Sequence, residues 1–210
     1  MVTTRKGNAY GDMVMEIAVI GWGSLIWCPK ELCLRTRWRK DGPRLRIEFA
    51  RISKEHRLTL VIHPGSRPVQ TYWAMSSLEC LLSARRNLCC REGTCLSRIH
   101  AVDAAGRVTP PEGPCQGIVE TIVPWLSSKG LDAAVWTGLG TNWREKRCSE
   151  FCIEDALAYL RCLRDNTKAT NARKYITHAP AQVRTRVRCL VERELKWKPV
   201  ALPEDLFDCS

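Results

Sequence analysis

No apolar stretch in this sequence reaches the roughly 20 residues that a membrane-spanning helix needs. The best candidate, Ile17 to Trp27, follows Glu16 and is interrupted by Gly21, Gly23 and Ser24. It lacks a small-residue cleavage site, so no secretory leader is expected there, and no membrane partner. Internal repeats and low-complexity tracts are missing too. Cys89, Cys90 and Cys95, with His100 just beyond, form C-C-x4-C. Paired C-x2-C units, the usual zinc pattern, do not occur, and no metal is expected. Ser24 is not followed by x-Gly, which excludes a G-x-S-x-G nucleophile elbow. A G-x-G-x-x-G dinucleotide fingerprint would need a third glycine where Ile26 stands, and no βαβ rhythm follows.

What is present fits a soluble globular chain: 210 residues, 45 % apolar and 26 % charged. The length suits a single domain over residues 15–210, with residues 1–14, polar and Gly-containing, expected to be disordered. Lys and Arg outnumber Asp and Glu by 33 to 22, a net charge of +11. Such an excess favours anionic partners. The arginines are dispersed apart from Arg184, Arg186 and Arg188, and no nucleic-acid motif accompanies them, so nucleic acid is not an expected partner. Nothing in the sequence specifies an oligomeric state. Twelve cysteines in 210 residues fall below the share of about 8–10 % that marks a disulfide scaffold. With no leader, this reads as reduced thiols in the cytoplasm. Cys152 and Cys162, beside an apolar helix face, are expected to serve as small packing residues.

Short β-type runs dominate the first two thirds: 16–20, 45–52, 58–62, 71–75, 98–102, 117–123 and 134–137. In the second, Ile47, Phe49 and Arg51 alternate with Arg46, Glu48 and Ala50, the pattern of a half-buried strand. Turn residues separate the runs, as in Asp41-Gly42-Pro43 and Pro110 to Pro114. Three helices are expected. One starts at a Ser76/Glu79 capping box, buries Leu78, Leu81, Leu82, Ala84 and Leu88, and stops at Gly93. A second spans about 150–164, and a third starts near Pro180 with Val183, Val187, Leu190 and Leu195 inward. The expected fold is α+β, a small mixed β-barrel with packed helices.

Two features could carry chemistry. Gly21-Trp22-Gly23-Ser24-Leu25 follows the first strand directly. Two glycines let backbone turn tightly and approach a ligand, and successive N–H groups there can form an anion nest. The same residues also read as a plain tight turn. Glu92 stands in the last helical turn, where unpaired carbonyls oppose a carboxylate. Facing a pocket, it would be a proton shuttle; facing water, an ordinary surface residue.

Together these features resemble the γ-glutamylcyclotransferase-like family. Gly21 to Trp27 is similar to its Y-G-S-L-I-W loop in the ChaC-type version, and Arg91-Glu92-Gly93 to its helix-ending E-G. Val135-Trp136 and the C-terminal helices look like those of a bacterial branch of the group. The resemblance covers Ile17 to Trp197. It implies a small β-barrel with helices and no cofactor, cyclising a small γ-glutamyl amine or peptide to 5-oxoproline. Glu92 would be the acid/base, and Trp22, Gly23, Ser24 and Leu25 would hold the γ-glutamyl end. Trp22 replaces the family's tyrosine, and no tyrosine occurs between Tyr72 and Tyr159. Those departures motivate an alternative: a non-catalytic member that binds a small anion or a protein.

Overall fold

The computed structural model describes residues 14–112, 116–163 and 166–208. Of the N-terminal stretch read as disordered, residues 1–13 lie outside the described residues, as do Gly113 and Pro114 of the proline-rich turn. The chain divides into two compact units. One holds residues up to Ile20, Lys30–Arg37 and Ala74–Thr137; the other holds Gly21–Pro29, Trp38–Trp73 and the chain from Gly138 onward.

The strands β1 (Ile17–Gly21), β5 (Tyr72–Met75), β6 (Ile99–Asp103), β7 (Val108–Thr109) and β8 (Ala133–Thr137) form a sheet in the order β5-β1-β8-β6-β7. β1 and β8 are parallel, with Ile17 opposite Ala133 and Val19 opposite Val135, while β6 runs antiparallel to β8. β1 is buried along its whole length and β8 nearly so, which explains apolar runs without alternation. Helices α2 (Leu81–Glu92) and α3 (Gln116–Lys129) pack against β6 and β8.

Three expectations fail in this unit. The run 117–123 is helical, inside α3. Ile118, Ile122 and Leu126 recur every four residues and are buried, each contributing roughly 1.5–3 kcal/mol, and this outweighs the β-preference of Ile and Val. The Ser76/Glu79 capping box does not form. Ser76 Oγ instead accepts from Leu78 N at 3.0 Å, and α2 begins only at Leu81, with Cys80 as its N-cap. Of the expected stripe, Ala84 and Leu88 are buried while Leu82 is exposed.

In the other unit, β2 (Arg44–Ile52) lies between β3 (Leu58–Ile62) and β4 (Pro68–Gln70), all antiparallel. The two sheets are separate, and no closed barrel is formed by the described strands. A barrel needs its two edge strands to pair. Here β7 has only two residues, and the segment that would have extended the sheet is α3. The fold is mixed α+β.

β2 alternates only as far as Ile47; Glu48, Phe49 and Ala50 are all buried. Both faces are covered because α4 (Trp143–Arg147) and α7 (Arg186–Glu194) pack on this strand. Asn142, ahead of α4, clamps Ile52 by accepting from its N–H at 2.9 Å and donating to its carbonyl at 2.9 Å. α5 (Ile153–Arg161) is shorter than expected. Cys152 is not packing filler: it is exposed, and its sulfur accepts from Asp155 N at 3.3 Å as the helix N-cap. Cys162 is exposed as well, and none of the ten described cysteines is buried. α6 (Asn166–His178) is additional to the three expected helices. α7 starts six residues after Pro180, capped by Thr185, whose Oγ accepts from Arg188 N at 3.2 Å.

Candidate functional site

β1 ends in Gly21, and after Trp22 and Gly23 the chain enters a one-turn helix, α1 (Ser24–Trp27). The turn is closed by hydrogen bonds from Ile26 N to Gly23 O at 3.0 Å and from Cys28 N to Ser24 O at 2.9 Å. Gly23 is the N-cap and, with no side chain, makes no side-chain cap hydrogen bond. It is also tightly confined. A Cβ on Gly23 would stand 2.8 Å from the Tyr175 hydroxyl.

Tyr175 belongs to α6, and its ring is enclosed on several sides. Trp27 and Phe49 meet it edge-on, with centroids 5.4 and 6.4 Å away. The Arg57 guanidinium lies 5.5 Å from its centroid, a cation–π arrangement. Arg57 also pairs with Glu55 at 3.2 Å, while its buried Nε has no hydrogen-bond partner. Trp22 is buried and its indole N–H donates to Leu60 O at 3.2 Å. The turn's aromatic residue therefore anchors the loop to β3, with its one polar atom already engaged. Leu25 is buried and Ser24 half-buried, so the backbone of Gly23 to Leu25 and the Tyr175 hydroxyl are the polar groups gathered at this turn.

Glu92 closes α2 in the other unit. Gly93 follows with φ +59, the left-handed conformation that glycine adopts without steric cost, and its N–H reaches Cys90 O at 3.1 Å. The expected helix stop is thus in place. The Glu92 side chain is 19 % exposed, and its Oε1 accepts from Arg91 Nη1 at 2.7 Å. Arg85, two turns earlier, has another use. Its guanidinium donates to Ile99 O at 2.9 and 3.0 Å and to Leu96 O at 3.0 Å, fastening the segment after the helix.

Tyr175 and Arg57 had no signal in the sequence. Tyr175 sits on a helix with little apolar patterning, and Arg57 follows a His56 turn that reads as solvent-facing. The approach of Tyr175 to Gly23 is created by the packing of α6 on α1 and β3. Among the described residues no group of three or more His, Cys, Asp or Glu is arranged to hold a metal ion. No helix among them is long and apolar enough to cross a membrane. Compared with family models, curated proteins and solved structures, the chain matches none.

Proposed function

We propose that this protein is a γ-glutamylcyclotransferase-like enzyme that cyclises a small γ-glutamyl amine or peptide to 5-oxoproline. The observation that carries the reading is Gly23, an uncapped turn glycine with no room for a side chain beside a tyrosine hydroxyl. Backbone amides presented in such a turn suit a carboxylate or a developing oxyanion. In the reaction the substrate's own α-amine attacks its γ-carbonyl carbon, and the new C–N bond closes the ring as the amine departs. Glu92 takes the proton from the α-ammonium and returns one to the leaving nitrogen. The Gly23–Leu25 backbone holds the γ-glutamyl end. With nucleophile and electrophile in one molecule, most of the acceleration comes from positioning, and a single proton shuttle suffices.

The test is 5-oxoproline release from a panel of γ-glutamyl amines and peptides. Glu92→Gln should lower kcat by about 10²–10⁴ with an unchanged thermal midpoint. Gly23→Ala should lose kcat/KM, and adding Tyr175→Phe, which removes the clashing oxygen, should recover part of it. No product from any member of the panel, or full activity in Glu92→Gln, ends the catalytic reading.

The ion pair between Glu92 and Arg91 favours a second reading, a non-catalytic small-anion binder, because the guanidinium occupies a carboxylate oxygen that a proton shuttle would present to the substrate. Saturable binding of a γ-glutamyl compound without turnover would select it.

A further inference from the structure

A concave region, with none of the Gly21–Trp27 turn in its walls, lies where α7 meets β2 and the turn between β3 and β4. It encloses about 390 Å³, the size at which small-molecule sites begin. Arg67, Arg184, Arg186 and Arg193 line it, against two carboxylates, Glu48 and Glu154. One of those is already engaged. Glu48 is 1 % exposed, and its oxygens accept from the backbone N–H groups of Phe49, Arg186 and Val187 at 2.9–3.3 Å. It fills the start of α7, so an incoming anion would not be held by that helix end but by the guanidinium groups.

Their pairing leaves capacity. Arg67 and Arg186 have no carboxylate within ion-pair distance among the described residues. Arg184 reaches Glu192 only at 3.7 Å, and Arg193 pairs with its exposed neighbour Glu194 at 3.0 Å. The Arg193–Glu194 pair is exposed, and such pairs are weak and can be exchanged. The four arginines come from separate places: the β3–β4 turn, the approach to α7, its first residue and its last turn. A carboxylate offers two oxygens in one plane, whereas a phosphoryl group offers three around a tetrahedron and can meet guanidinium forks from several directions.

We infer that this cleft is a binding site for a small phosphoryl-bearing molecule of charge −2 or more. Binding is tested by titration calorimetry on the full chain, with inorganic pyrophosphate as probe and citrate as the carboxylate comparator. Pyrophosphate should bind saturably, more tightly than citrate, and more weakly as salt rises. The Arg67→Ala/Arg186→Ala double variant should weaken it at least about tenfold. Both side chains are exposed, so the thermal midpoint without ligand should stay in place. The control Arg98→Ala, exposed in the other unit, should bind as the parent does. Three results would overturn the assignment: no saturable pyrophosphate binding, equal loss in the Arg98→Ala control, or tighter binding of citrate.

Discussion

The start of α7 and the end of α2 each present a glutamate, and the two are set in opposite ways. Glu48 is withdrawn from water, and three backbone N–H groups point at its oxygens, two of them from the positive end of a helix. Glu92 stands at the negative end of its helix, part-exposed, with one guanidinium partner on the neighbouring residue. The first carboxylate is an element of construction: it joins β2 to α7 within one unit. The second joins nothing beyond its own turn, which is the condition under which a carboxylate can move protons without loosening the fold. Arg188 makes the same point for cations. At 1 % exposed it donates to Ala179 O and Pro180 O at 2.6 Å and to Glu192 at 3.2 Å, closing the chain between α6 and α7.

The largest separation between the two glutamates should therefore appear in stability. Glu48→Ala leaves buried N–H groups without an acceptor and should cost about 2–4 kcal/mol in denaturant unfolding. Glu92→Ala should cost less than Glu48→Ala, since it removes one partner of the Arg91 guanidinium and leaves no set of buried backbone N–H groups without an acceptor. Comparable losses in the two variants would dissolve the contrast.

A smaller effect concerns pH. Burial raises the Glu48 carboxyl above its ordinary 4.5, against the lowering by Thr185 and the backbone N–H groups of Phe49, Val187 and Arg186. A raised carboxyl pKa stabilises the fold below the unfolded value, and that contribution is lost as pH rises through the folded value. Glu48→Gln should consequently gain on the parent as pH climbs from about 4 past the folded pKa. Asp103 supplies the opposite sign. Burial would raise its carboxyl, but bonds from the Arg107 N–H and guanidinium and from Ala105 N outweigh that and hold it below 3.8. Its contribution is present above that ordinary value and lost as pH falls, so Asp103→Asn should differ most from the parent near neutrality and least in acid. Urea midpoints measured across pH for both variants check the two slopes. Parallel slopes would mean that neither carboxyl is set as described.

The contrast between the helix ends was only half legible in the sequence. Gly93 marked the end of α2 because a left-handed C-cap leaves a local residue signature, and so Glu92 could be placed on its helix. Six of the seven β-type runs correspond to strands for a similar reason, since turn residues bound them. Glu48 could not be found that way. By alternation it belongs to the outward face of β2, and only the return of a segment 138 residues later covers it. The parallel pairing of β1 with β8 and the approach of Tyr175 to Gly23 are hidden for the same reason: each is a contact between distant segments whose own composition is ordinary. The helix α6 lacks an apolar stripe and buries mainly Ala172 and Ile176, too few for a period to show.

The smallest expected effect lies just past Glu92. Cys95 is exposed, and its Sγ stands 3.1 Å from Ser97 Oγ, a hydrogen bond that holds its thiol below the ordinary 9.0. Cys89, six residues earlier, donates to Thr94 O at 2.9 Å, and burial pushes its thiol up. Thiolate is the form that alkylates, so Cys95 should react with iodoacetamide well ahead of Cys89 near pH 8, read by peptide mass mapping. Ser97→Ala should slow Cys95 by a few-fold at most, about what loss of one exposed hydrogen bond allows, and leave Cys89 unchanged. If Cys89 reacts first, the turn after α2 is not held as its hydrogen bonds imply. The freedom assigned to the Glu92 end of the helix would then have to be measured again from that turn outward.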